Sequence, residues 1–463
     1  MDSEAYSESL QFQAVKKRAV ASRSFRTKIP SSNGQNFSEG QTVQFDLPSN
    51  LAAQYYNFNQ LYLRVKVTTN GAVTLDRNGI YNIIKRLTIQ TAGSQLCDII
   101  NYNALVCAFI DLQASHEWKS SSGAIMCGTK GDSLAGQAQG GGAANSRVYC
   151  IGLPINVLAS STPHRLIPSF SLSNIQVRIQ LAAGVEAFVG ADAAACAYTI
   201  TEPEIVCMMT QLSPGAQAQI DQANNGMYNI LALNYMNAQT SMAANATTVN
   251  ATLGFSMSSL ERILVLHRKS DAANGTATVF SNSRIRNNLS EYSFLINSEQ
   301  YPQRPILVDD DGAEVMAETL ISDHRLTDFT RGSNVNVGYA AIGTLGVGTS
   351  DLSGVAPNVV KTKSYTLSAA DATGLSPGAS AASGTAASAS NIGTFIAGCE
   401  FESSLSDGKS SNIYSGISTI ASTIQYKGVY EVGTVDAQLD FFAVYTVLLS
   451  LDMKGLGVWQ VRI

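Results

Sequence analysis

The sequence predicts an all-β protein of two consecutive domains built on one plan, and three observations carry that prediction. A strand–strand–turn–helix module occurs twice, about two hundred residues apart. Apolar and polar residues alternate along many of the apolar segments. Helical periodicity is confined to one short stretch at the same place in each half.

The first module opens with Leu61, Leu63, Val65 and Val67 alternating with Tyr62, Arg64 and Lys66, followed by Leu87-Thr-Ile-Gln-Thr91 and a turn at Ala92-Gly-Ser-Gln95. Side chains of a strand point alternately to opposite faces, so a period of two means one packed face and one wet or paired face. Val43, Phe45 and Leu47 upstream, and Ile175, Val177, Ile179 and Leu181 downstream, keep the same period. That is antiparallel sheet, as in a sandwich or barrel. After the turn, Tyr102, Leu105, Phe109 and Leu112 recur at spacings of three and four, which makes one apolar helical stripe.

The second module matches Leu61 with Ile263 and Ile89 with Ile296, and places its helix at Ala313–Ile321, with Met316 and Leu320 as the stripe. Asp311 and Glu314 have the spacing of an N-cap and its reciprocal partner. A third match pairs the strand at Val177 with the one at Val444, once a small-residue insertion at 332–392 is subtracted. The organisation is then an arm over residues 1–37, a first domain over 38–212, a polar connector over 213–226 and a second domain over 227–463 carrying the inserted surface loop.

Composition narrows the class. Charged residues are 14% of the 463, against ~25% in ordinary soluble domains, while 45% are hydrophobic. A surface poor in ions can be buried against neighbours at low desolvation cost. An oligomer or lattice is the favoured reading, and an unusually large core is the alternative. The net charge of −5 gives no reason to expect nucleic acid binding by the chain as a whole. The arm differs: Lys16, Lys17, Arg18, Arg23, Arg26 and Lys28 face three acidic residues, a net +3. These six are candidate contacts to a neighbouring subunit or to anionic material such as genome or lipid, the other reading being a disordered tail.

Seven cysteines without a C-x-x-C pair, several inside apolar runs, behave as small buried hydrophobes of a reducing compartment. Met-Asp-Ser-Glu-Ala-Tyr lacks the layout of a signal peptide, so the five N-glycosylation sequons are not expected to be used. Phe441–Leu449, the longest apolar run, is too short for a membrane span of ~20 residues.

No catalytic, cofactor or metal residues are expected. The four histidines (116, 164, 267 and 324) show no metal spacing. Gly374-Leu-Ser-Pro-Gly378 has the letters of a nucleophile elbow, but Pro377 lacks the N–H that would stabilise an oxyanion. Ser406-Asp-Gly-Lys-Ser410 lacks the earlier glycine of a phosphate loop. Asp309-Asp-Asp-Gly312 lacks the alternation of a calcium loop.

Asn82-Ile-Ile-Lys-Arg-Leu-Thr-Ile-Gln-Thr-Ala-Gly-Ser-Gln-Leu96 resembles the first-barrel strand and turn of the double jelly-roll major capsid proteins of tailless icosahedral DNA viruses, the group of adenoviruses, membrane-containing phages and polinton-like elements. Glu291-Tyr-Ser-Phe-Leu-Ile-Asn-Ser-Glu-Gln-Tyr-Pro-Gln-Arg-Pro305 resembles the second-barrel "-ING-x-x-YP-" segment, with Ser298-Glu299 in place of the glycine. The resemblance covers nearly the whole chain in layout. It implies two consecutive eight-stranded jelly-roll barrels with one short helix in each, and a structural role without enzymatic activity. Three copies would form a homotrimer of pseudo-hexameric outline that tiles an icosahedral virion shell, with penton and minor capsid proteins as further partners. The arm would touch a neighbour, an internal membrane or the genome, so removing residues 1–30 is expected to leave trimers and impair shell closure. Two rivals stay open: another viral coat or vertex protein with a single jelly roll and a projection, and a carbohydrate-binding β-sandwich protein.

Overall fold

Both halves of the chain fold into a pair of facing antiparallel sheets, and the strand order within those sheets is the same in each half. The computed structural model describes residues 22–49, 51–76, 78–91, 94–130, 135–160, 165–171, 174–270, 280–308, 312–326, 335, 394–402, 416–431, 434–453 and 458–462.

In the first half, β1 (Ser22–Pro30) and β2 (Asn36–Ser38) pair with one edge of β13 (Tyr198–Leu212). The other edge of β13 pairs with β4 (Gln54–Thr69), and β4 in turn with β9 (Arg147–Gly152) and the short β10 (Ile167–Pro168). The facing sheet runs β3 (Thr42–Leu47), β11 (Ile175–Leu181), β6 (Ile84–Gln90), β7 (Gln95–Ile100). The second half repeats this with β14 (Met227–Met242), β21 (Ala437–Asp452), β16 (Leu260–Lys269) and β19 (Ala397–Glu400) in one sheet, β22 (Trp459–Arg462) being added to β21. Its facing sheet is β15 (Thr248–Leu253), β20 (Ile424–Tyr430), β17 (Leu289–Ile296), β18 (Glu299–Leu307). Lettered B to I in chain order, with β1 and β2 together as B, the eight common strands read B-I-D-G over C-H-E-F in both halves. The fold is a double jelly roll.

Alternation sets the register. Val43, Phe45 and Leu47 of β3, Leu61, Leu63, Val65 and Val67 of β4, and the four apolar residues of β11 are all buried. Val43, Phe45, Leu63, Val65, Ile179 and Ile200 meet between the two sheets of the first barrel. A one-residue slip of any of these strands would turn its apolar set outward. The first barrel also carries a three-stranded side sheet, β12 (Phe188–Gly190), β5 (Val73–Asp76), β8 (Ala135–Gln139), built from its D–E, F–G and H–I connections.

Helix α1 (Tyr102–Gln113) follows strand F of the first barrel and is trailed by the short α2 (His116–Ser120) and α3 (Ser122–Cys127). Two single turns, α4 (Gly184–Ala187) and α5 (Ala193–Cys196), flank β12. The expected polar connector is mostly a helix, α6 (Pro214–Ala223), started by Pro214 and by the Ser213 hydroxyl, which accepts from the Ala216 N–H. Helix α7 (Ala313–Ser322) follows strand F of the second barrel. Its N-cap is Gly312, with φ of 63° and no side-chain cap; Asp311 lies outside the described residues. One helix after strand F is common to both halves, and the first half adds several short ones.

Two expectations change. Residues 22–30 are not arm but strand B of the first barrel, paired with β13 over its whole length from Ser22↔Leu212 to Pro30↔Glu204. The third repeat match also fails. Val177 lies on strand H and corresponds to β20, whereas Val444 lies on strand I and corresponds to β13. Most of the insertion at 332–392 falls outside the described residues; the chain positions that flank it are the end of α7 and strand G.

Candidate functional site: the junction between the barrels

Several of the charged side chains that the fold buries gather where the two barrels meet. Helix α1 lies in that seam. Its sequence has one apolar stripe, yet every residue from Tyr102 to Leu112 is buried, because the second barrel covers the face that water would otherwise have. Phe109 meets Tyr235 of β14 edge to face at 6.1 Å, and the Arg262 guanidinium lies 5.7 Å over the same ring.

The acid of α1, Asp111, is wholly buried and bridges both halves. One carboxylate oxygen accepts from Lys119 Nζ at 3.0 Å, and the other from Arg284 Nη2 of the second barrel. Arg284 is 1% exposed along its side chain and also donates to the Phe395 carbonyl at 3.1 Å. A second buried pair is Arg268–Asp440 at 2.6 Å, where Asp440 also accepts from Gln239 at 2.6 Å and from Asn101 of the first barrel at 3.3 Å. Asp76 accepts from the Asn282 backbone N–H at 3.1 Å and from Asn82 at 3.4 Å. At the far end, Gln113 donates to Asp323 at 2.8 Å, and Asp323 also holds Arg262 and Arg325 at 3.1 and 3.7 Å.

Charges this deep are tolerated only when paired and hydrogen-bonded. Each carboxylate here draws partners from both halves, so sliding one barrel against the other would strip them together. The D–E connection of the second barrel, residues 280–288, supplies Ser281, Asn282 and Arg284 to the seam, which is why a polar segment can be buried there. The connector joins in: Gln217 of α6 accepts from Tyr55 at 2.8 Å and donates to Tyr228 at 3.1 Å.

Nucleophile chemistry finds little support among the described residues. Burial pushes the thiols of Cys97, Cys127 and Cys207 up to about 12 and that of Cys196 to about 11, away from the thiolate form. His267 is fully buried, stacked on Phe395 at 5.7 Å and 3.2 Å from the Tyr430 hydroxyl, and burial lowers it to about 4. His164 lies outside the described residues, and only the backbone of His116 is described. His324 is different: it lies between Glu400, the last residue of strand G, and Glu402 just beyond it.

Of the six basic candidates, Lys16, Lys17 and Arg18 lie outside the described residues. Arg23, Arg26 and Lys28 sit on β1 and are exposed, Arg23 donating to Gln211 at 2.8 Å and Lys28 lying 3.9 Å from Glu204. They decorate the open edge of a sheet, where charge discourages pairing with another chain. The sequence missed Asp111 with Arg284, and Arg268 with Asp440, because the partners lie 173 and 172 residues apart in the chain.

No family model matches the sequence, and no curated protein matches it significantly. The fold does match solved structures over its full length. The capsid of the virus PBCV-1 is similar with a TM-score of 0.58 at 10% identity, covering 98% of this chain and 99% of that one. The mavirus major capsid protein gives 0.51 at 9%, covering 100% and 96%. A chain of the Sputnik virophage gives 0.50 at 13%, covering 99% and 92%.

Proposed function

We propose that the chain is a major capsid protein: three copies associate into a capsomer of pseudo-hexagonal outline, and these capsomers tile an icosahedral virion shell. The observation that carries the reading is the repeated B-I-D-G over C-H-E-F barrel, locked to its twin by the buried Asp111–Arg284 ion pair and by buried hydrogen bonds across the seam. One rigid chain then presents two like footprints, and three chains present six. The full-length likeness in fold to capsid proteins of PBCV-1 and mavirus supports the same role.

A shell subunit must also avoid unplanned sheet growth and offer neutral contact surface. Basic residues on the edge strand β1 serve the first need, and a charged fraction of 14% serves the second. The role is structural, without a catalytic step. Residues 1–21, with Lys16, Lys17 and Arg18, are the segment we assign to contacts with a neighbouring capsomer or with anionic material inside the shell. Penton and minor capsid proteins would complete the particle.

Electron microscopy of the concentrated protein tests this. Sheets or closed particles with a hexagonal lattice of capsomers are expected. Dispersed single chains under every assembly condition, with no lattice, would contradict the role.

A further inference from the structure

We propose that His324, Glu400 and Glu402 form a binding site for one divalent transition-metal cation that fastens helix α7 to the end of strand G. The inference stands apart from the capsid reading and rests on the local geometry alone.

The backbone puts the three residues together. Helix α7 lies directly on β19, because Gly398 has no side chain: a Cβ there would collide with the Ser322 hydroxyl and press on the Thr319 backbone. Thr319 Oγ1 accepts from the Gly398 N–H at 3.1 Å, so helix and strand are tied at this point. His324 follows two residues after the helix ends, and Glu400 and Glu402 follow two residues after Gly398 and two apart. In an extended chain, that last spacing directs both carboxylates to one side. Imidazole Nδ1 is 3.7 Å from Glu400 Oε1, and Nε2 is 3.9 Å from Glu402 Oε1. One ligand atom from each residue lies within 4.8 Å of the others, so small rotamer changes would close them on an ion.

A second observation points to a ligand. The Glu402 side chain is 3% exposed, and its Oε2 has no hydrogen-bond partner among the described residues. Glu400 Oε1 is likewise buried without a hydrogen bond. Two adjacent carboxylates removed from water with lone pairs unused are costly unless a cation compensates them. Burial, and then the charge of Glu402, push Glu400 up to about 7. Arg262 stands opposite Glu400 across the paired strands and partly offsets its rise, but its guanidinium is shared with other groups. Arg262 donates to the Ser322 carbonyl and to Asp323, and Arg325 donates to the Leu112 carbonyl. Glu261 and Glu318 add further negative charge around Glu400.

The donor set selects the ion class. One imidazole nitrogen with two carboxylates suits zinc or manganese better than calcium or magnesium, which favour oxygen-only shells. His324 is 36% exposed, which leaves an entry path and room for a water as a further ligand. The ion would pin together the two ends of the chain excursion between α7 and strand G, the one that carries the 332–392 insertion.

Equilibrium dialysis of zinc chloride against the full chain, freed of metal by chelation, tests the site, with manganese, calcium and magnesium chlorides as comparisons. One zinc per chain is expected, with a zinc-dependent rise in Tm. Glu402→Gln and His324→Asn are each expected to weaken zinc binding at least about tenfold, and Glu204→Gln, in the first barrel, is expected to leave it unchanged. Without metal, Glu402→Gln is expected to melt at or above the wild-type temperature, since it removes an uncompensated buried charge. That result separates a lost ligand from a damaged fold. Zinc binding absent at one per chain, or unchanged in both ligand variants, overturns the proposal.

Discussion

Asp111 holds two cations on one carboxylate, and all three groups are at least 97% buried along their side chains, being 0%, 3% and 1% exposed for Asp111, Lys119 and Arg284. Removing its charge leaves Lys119 and Arg284 uncompensated in a dry seam. Asp111→Asn is expected to cost about 3–5 kcal/mol in denaturant unfolding; a loss below about 1 kcal/mol would show that the network does not join the barrels. His267 gives a pH signature. Its folded pKa of about 4 lies below its ordinary 6.5, so below 6.5 the unfolded chain binds the proton that the folded one refuses. Stability therefore falls as pH drops from 6.5 towards 4, by roughly 3 kcal/mol in total. Glu400, held up at about 7, acts with the opposite sign over part of that range. The groups packed on His267 are Phe395 and Tyr430, which do not titrate there. Comparing unfolding curves of the wild type and His267→Gln isolates the effect: the variant should lack this acid-side loss, and identical pH profiles would refute it. None of these pairings was legible in the sequence, because Asp111 and Arg284, or His324 and Glu400, are brought together only by tertiary packing.

Elements with a visible period were the legible ones. β3, β4 and β11 alternate because each packs one side only, and α1 and α7 stood out as the periodic stretch after strand F. Strand β1 escaped notice for a physical reason. It is an edge strand in which Ile29 is buried and most other positions are exposed, so Ser-Arg-Ser-Phe-Arg-Thr-Lys reads as a polar tail. Strand β21 misled in the opposite way. It is buried on both faces, from Leu439 to Val447, so its period vanishes and nothing marks it as strand I instead of H. The basic arm therefore shortens to the residues before Ser22. Deleting residues 1–21 is expected to leave a folded protein, whereas deleting 1–30 removes β1, the longer part of strand B, and unpairs β13 from Glu204 to Leu212 on that edge. Thermal melts check this: the longer deletion should lower Tm by many degrees or abolish soluble protein, and the shorter one should not. Equal behaviour of the two would mean that β1 contributes nothing to the barrel.

At the scale of the whole molecule, duplication was readable because strands D and E of the first half recur about two hundred residues later in the second. Leu61 with Ile263 and Ile89 with Ile296 do occupy equivalent strands. How the halves face each other was not readable, since the seam is made of polar groups whose partners lie far away in the chain. That seam turns two barrels into one body with two like footprints, and the proposed trimer depends on it. Native mass spectrometry of the purified protein tests this most directly. The account predicts a species of three chains, held without disulfides, that persists on dilution. A monomer at the same concentrations would contradict it.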